Sequence, residues 1–162
     1  MCALIKSHLD MKGAMENIGD KGKVRSFLCQ TFIFSYIWGL GGNLVDSSMD
    51  KFEIFVREKF EDHPDARYST VTIPLHQHLT MRLYQIRLPT GNDLWSLFIN
   101  TVKHTMSPWT KLMPKFEYNK DVPFFELLVP TVDTVRFGYV MEKLLQVNYP
   151  VMYTGETGMS YL

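Results

Sequence analysis

At 162 residues the chain is long enough for one ordinary domain with a real core. A hydrophobic share of 46% and a charged share of 21% are those of a soluble globular protein, and a formal net charge of zero argues against binding nucleic acid through a basic surface. Its two cysteines, Cys2 and Cys29, have no metal-type spacing, which points to a reducing compartment and away from a disulfide framework.

The N-terminal stretch carries charges throughout and has no apolar run of signal-peptide length, so secretion is not expected. Residues 1 to about 20 suggest a short helix, with Leu4, Leu9, Met11, Met15 and Ile18 among its apolar positions, closed by a Gly19–Gly22 turn. Val24 to Trp38 reads as the strongest helix of the first half. Val24, Phe27, Leu28, Thr31, Ser35 and Trp38 share a face, and Phe32, Ile33, Phe34, Tyr36 and Ile37 make the rest apolar too. A helix apolar all round is normally central to a core. Ser26 to Val45 carries no formal charge and has about the length of 20 residues that a bilayer needs, but Gly39, Gly41, Gly42 and Asn43 break its apolar density. A buried helix ended by glycine is the preferred reading. Ser47, with Asp50 three residues on, is the expected cap of the next helix, whose inner face is marked by Met49, Phe52, Phe55, Val56 and Phe60.

Between Arg67 and Arg87 lies a stretch without acidic residues that does not fit its neighbours. His76 and His78 stand two apart in it and would face one way on a strand, yet no third ligand is near and no metal site is assigned. Asp93–Ile99 reads as a strand or short helix, Ser107-Pro108-Trp109 as a turn with an aromatic anchor, and Lys111–Tyr118 as extended chain. Neither a Ser-His-Asp nor a Cys-His arrangement stands out, so no catalytic residue is assigned. Cys29, within an apolar helix, reads as inert core.

The chemistry is concentrated near the C-terminus. Thr131 after Pro130 is a good N-cap, and Asp133 puts negative charge in the first turn of a helix carrying Phe137, Val140, Met141, Leu144 and Leu145 on one face. Asn148 and Pro150 close that helix. Val151-Met152-Tyr153 then reads as a strand breaking into Thr154-Gly155-Glu156-Thr157-Gly158, the entry of a phosphate-binding loop of the form G-x-x-x-x-G-K-[ST]. Such a loop aims successive backbone N–H groups at phosphate oxygens. Gly155, Thr157 and Gly158 fit its first half. Ser160 replaces the second glycine, Tyr161 the lysine and Leu162 the hydroxyl residue. Charge-assisted hydrogen bonds are worth roughly 1.5–3 kcal/mol each, so their loss is expected to cost orders of magnitude in triphosphate affinity. The sequence ends at Leu162, so the terminal strand is expected to lack its parallel partners, and residues 150–162 to be poorly anchored.

The run PFFELLVPTVDTVRFGYVMEKLLQVNYPVMYTGETG closely resembles the start of the third AAA+ module of dynein heavy chains, and FIFSYIWGLGGNL with MDKFEIFVREKF resembles the segment joining the second module to the third. The wording is most similar to axonemal inner-arm heavy chains. The resemblance implies a mainly α fold with a few short strands: a helical AAA+ lid and extension, then the first helix and strand of a truncated P-loop α/β module. It divides the chain into 1–45, C-terminal helices of the second module; 46–122, helical extension and lid with an atypical insert at 68–87; and 123–162, the truncated start of the third. Its implied parent is an ATP-driven microtubule motor of cilia and flagella, acting in cytoplasm, cytoskeleton and axoneme. The parent would use ATP or ADP with Mg, and its partners would be neighbouring AAA+ modules of the same heavy chain, dynein subunits and microtubules, with neither nucleic acid nor membrane. Gly155, Thr157 and Gly158 would be a degenerate Walker A remnant, with Pro130 and Thr131 as weaker nucleotide contacts. This chain alone is expected to bind no cofactor and to be inactive as an ATPase. The competing expectation is a stand-alone helical protein-interaction module without nucleotide binding.

Overall fold

The spacing of Phe27, Thr31, Phe34, Ser35 and Trp38 puts five side chains on one stripe of a helix, and in the computed structural model all five are buried. The structure describes residues 1–10, 21–60, 88, 93–118, 120–121, 123 and 129–154. In chain order its elements are α1 (Cys2–Leu9), α2 (Lys21–Gly41), α3 (Asp46–Phe60), a 3-10 turn at Leu94–Ser96, β1 (Leu97–Asn100), β2 (Thr105–Pro108), a 3-10 turn at Trp109–Lys111, and α4 (Val132–Leu145). The mainly helical reading with short strands therefore holds. Among the described residues no helix is long and apolar enough to cross a membrane.

Helix α2 is the central element, packed by α1, α3 and the strands. Phe27, Ile33, Phe34, Ile37 and Trp38 are buried along it, each side chain contributing about 1.5–3 kcal/mol by leaving water. The rest of the core combines aliphatic side chains, such as Leu4, Leu94, Leu97 and Ile99, with an aromatic cluster. Trp38 meets Trp95 edge-on at 5.5 Å and Trp109 at 6.1 Å, and Phe98 stacks on Trp109 at 5.4 Å. Offset and edge-on pairs of this kind add about 0.5–1.5 kcal/mol beyond area burial. Both indoles of the 93–109 region have acceptors: Trp109 Nε1 donates to the Trp95 carbonyl at 2.7 Å, and Trp95 Nε1 to the Met49 carbonyl at 3.4 Å.

The strands form an antiparallel hairpin with Leu97 opposite Pro108 and Asn100 opposite Thr105. Its loop is closed by Asn100, whose Oδ1 accepts from the N–H groups of Val102 (3.1 Å) and Lys103 (2.9 Å), and by His104 at a left-handed φ of 53°. Gln30 of α2 binds the hairpin's edge, its Oε1 accepting from the Met106 N–H at 3.1 Å. At the end of α2, a Cβ on Gly41 would lie 2.7 Å from the Trp95 ring and 2.8 Å from that of Phe52, so this close approach requires glycine.

Several local expectations change. Ser47 lies inside α3, which begins at Asp46, so the hydroxyl is not the N-cap. Met49, Phe52 and Phe60 pack on the core and Val56 is buried, but Phe55 is exposed because it turns past the edge of the inner stripe. Ser107 and Pro108 belong to β2 rather than to a turn; the chain turns at Trp109, which is buried as the expected anchor. Residues 113–118 have no regular structure, and neither do 151–154: a strand forms only against a partner, and none of the described residues pairs with this segment. The first helix is described over Cys2–Leu9; residues 11–20 and the insert with His76 and His78 lie outside the described residues.

Candidate functional site

The start of α4 is built by two threonines. Thr131 Oγ1 accepts from the Thr134 N–H at 3.1 Å, and Thr134 Oγ1 accepts from the Thr131 N–H at 2.9 Å, a reciprocal capping box. The Thr134 hydroxyl donates in turn to the Thr131 carbonyl at 3.0 Å. Asp133 lies in the first turn as expected, beside the positive end of the helix dipole, and binds Arg136 Nη2 at 2.9 Å. The Arg136 guanidinium rests over the rings of Phe137 (5.1 Å) and Trp38 (5.9 Å), joining this first turn to α2.

The end of α4 is equally well determined. The Tyr149 N–H donates to the Leu144 carbonyl at 3.0 Å, the Asn148 N–H donates to that of Leu145 at 2.9 Å, and Asn148 has φ 57°. This is a Schellman motif with asparagine in the left-handed position, and Pro150 prevents the helix from resuming. The chain that leaves it, 151–154, is fastened by Tyr153, whose hydroxyl donates to the Phe137 carbonyl at 2.8 Å and whose ring meets that of Phe137 at 5.7 Å. Burial raises the Tyr153 phenol above its usual range.

Of the residues singled out in the sequence, the structure describes Pro130 and Thr131; Gly155, Thr157 and Gly158 lie outside the described residues. Both hydroxyls of the capping box are engaged within it, and the Asp133 carboxylate is held by Arg136. These side chains shape the helix start and offer no spare cation or hydroxyl to a triphosphate. Tyr161 and Leu162 supply neither the loop's lysine charge nor its metal-holding oxygen. Among the described residues no group of three His, Cys, Asp or Glu could hold a metal ion.

One cluster escaped the sequence reading. His8 of α1 is fully buried, with Nδ1 2.6 Å from the Leu4 carbonyl oxygen and Nε2 2.9 Å from the Tyr139 hydroxyl of α4. That hydroxyl also lies 2.9 Å from the Ile99 carbonyl oxygen of β1. Burial lowers the His8 pKa to about 4 against the opposing Leu4 hydrogen bond, and the nearby Lys143 lowers it further. Burial also pushes the Tyr139 phenol far up, with Glu142 adding to the effect. Lys143 is buried with its Nζ over the Tyr139 ring at 5.2 Å, and burial lowers its pKa. A lone histidine in a modest helix gives no hint of a partner 131 residues away.

A family model described as the dynein heavy chain AAA lid domain matches residues 1–111, and one described as the P-loop containing dynein motor region matches residues 116–161. Human dynein axonemal heavy chain 6 is 42% identical over 159 residues, which is 98% of this chain and 3% of that protein. The Chlamydomonas reinhardtii dynein-1-beta heavy chain of the flagellar inner arm I1 complex is 32% identical over 79% of this chain and 2% of its own length. The dynein alpha chain of the flagellar outer arm from the same alga is 24% identical over 92% of this chain. The chain thus spans only a few hundredths of the length of these relatives. No solved structure matches. His8 and Ile99 fall within the lid match and Tyr139 within the P-loop match, so their hydrogen bonds cross between the two matched regions.

Proposed function

The chain belongs to the dynein heavy chain family, and on that premise we propose that it forms the joint between a lid and the opening of the next nucleotide module in an axonemal motor. In this reading residues 1–45 are the last helices of the second AAA+ module, 46–122 its extension, and 123–162 the beginning of the third. The whole motor would hydrolyse Mg-ATP and move along microtubules in the cilium or flagellum, in contact with neighbouring modules and dynein subunits. Pro130 and Thr131 would shape the rim of the nucleotide site, and Gly155, Thr157 and Gly158 would line its phosphate side. With Tyr161 and Leu162 as they stand, the site would be structural or regulatory rather than hydrolytic.

The observation that carries this reading is the seat of Tyr139. Its ring packs edge-on against Phe34 (6.1 Å), Phe98 (5.6 Å) and Trp109 (5.3 Å), all three in the lid match, while its own helix leads to the loop glycines. The lid region thereby fixes where the loop's lead-in begins. Large exposed apolar side chains, among them Val45, Tyr118 and Met152, suit faces that adjoining modules would cover. The test is to replace the corresponding stretch of a ciliary dynein heavy chain by residues 1–158. Retained ATP-driven microtubule gliding is expected; loss of gliding by a folded, full-length chimera would overturn the reading.

A further inference from the structure

The cluster of His8, Tyr139 and two backbone carbonyls contains three short hydrogen-bond links: Leu4 O to Nδ1 (2.6 Å), Nε2 to the Tyr139 oxygen (2.9 Å), and the Tyr139 oxygen to Ile99 O (2.9 Å); Ser7 Oγ also lies 3.5 Å from Nδ1, but its one proton is given to the Leu4 carbonyl. A neutral imidazole and a phenol together bring two protons. Both carbonyl oxygens are acceptors only, so the Leu4 end demands a proton on Nδ1. That leaves Nε2 with a lone pair facing the phenol, and Ile99 O likewise. The one remaining proton, on Tyr139, can serve either acceptor but not both.

We propose that the Tyr139 hydroxyl is a two-position hydrogen-bond switch, donating to His8 Nε2 on α1 in one state and to the Ile99 carbonyl on β1 in the other. The groups facing the pair favour neither a third proton nor its loss. Lys143 of α4 places positive charge beside the imidazole, Ser7 of α1 donates to the same Leu4 carbonyl at 2.9 Å, and α2 contributes the uncharged Phe34 ring at 5.3 Å. Glu142 of α4 disfavours ionisation of the phenol. With the proton count held at two, the links stay one short, and whichever acceptor is left out is buried. The two states therefore exchange a fault between α1 and the hairpin rather than removing it. Helix α4 is gripped more firmly by α1 in one state and by the hairpin in the other. The switch rests on these contacts alone and stands whether or not the proposed motor function is right.

The test is nuclear magnetic resonance on the full chain labelled with nitrogen-15 in the histidine rings and carbon-13 at isoleucine carbonyls, with His8 assigned by the resonance lost in His8→Gln. The expected spectrum shows His8 as the Nδ1–H tautomer. Its Nε2 shift and the Ile99 carbonyl shift should drift in opposite senses of hydrogen bonding as temperature changes. In Tyr139→Phe both should move to their values without a donor. An Nε2–H tautomer would overturn the proposal, as would an Nε2 shift that ignores the Tyr139→Phe change or two shifts that do not vary with temperature. Should Tyr139→Phe fail to fold, the tautomer and the opposed drifts of the unaltered chain still decide the matter.

Discussion

The hydroxyl of Tyr153 donates to the backbone carbonyl of Phe137, 16 residues upstream, at 2.8 Å. Phe137 in turn stands edge-on to Trp38 at 6.0 Å, so the segment entering the loop is linked through two aromatic rings to the central helix. The segment forms no strand, and this single side chain substitutes for the ladder it lacks. Tyr153→Phe keeps the ring contact and removes the hydrogen bond, a loss of about 0.5–1.5 kcal/mol. The expected result is faster hydrogen exchange at residues 151–154 with little change in the global melt. Unaltered exchange would mean that the hydroxyl does not hold this segment.

Thr131→Ala removes the acceptor for the Thr134 N–H and one half of the reciprocal cap. Loss of a threonine cap costs about 1 kcal/mol. Thermal denaturation of the variant should show a lower midpoint, while Thr131→Ser, which keeps the oxygen, should stay near the parent. Equal midpoints for alanine and serine would show that the cap contributes nothing.

Gly41→Ala places a methyl 2.7 Å from Trp95 and 2.8 Å from Phe52. On an open helix such a change is stabilising, by about 1 kcal/mol from propensity. Here overpacking of about 1–3 kcal/mol outweighs that gain. The variant should be less stable to urea, and the near-ultraviolet signal of its tryptophans should change. A more stable Gly41→Ala chain with an unchanged aromatic spectrum would contradict the close approach.

What could be read from the sequence follows the range of the forces involved. Thr131, Asn148 and Pro150 act within a few residues of themselves, and each does in the structure what its residue type suggests. The apolar run of α2 announces a central helix for the same reason, the information lying in one continuous stretch, but Leu28, expected on the inner face, and Phe32 are exposed. The hairpin was half visible. Its loop, Thr101 to His104, has no glycine, and closure depends on the Asn100 side chain and on a histidine with positive φ. The Val151–Tyr153 run has strand-type residues, but β propensity reports only fitness for a sheet, and the partner must come from elsewhere. His8 was illegible because its environment is made by α2, β1 and α4 together, none of which its own helix encodes.

That environment gives stability a defined dependence on pH. Burial, opposed by the Leu4 hydrogen bond, holds the folded-state pKa of His8 at about 4, below the 6.5 of an exposed imidazole. Between these values the unfolded chain takes up a proton that the folded chain refuses, so stability rises with pH across the window. The contribution is fully present above about pH 6.5 and is lost as pH falls through the folded value near 4. A difference of roughly two to three pKa units corresponds to about 3 kcal/mol in all, a large part of a small domain's total. Urea unfolding of the parent chain should therefore weaken from neutral pH down to about pH 4.5 more steeply than that of His8→Gln. The carboxylates common to both chains cancel in the comparison. The phenol of Tyr139, pushed upward by burial, stays outside this window and adds nothing to the slope. His8→Gln should also be less stable at neutral pH, because the amide cannot reproduce both ring contacts, and the two curves should converge toward acid. Parallel curves would show that the imidazole is not held neutral by the fold.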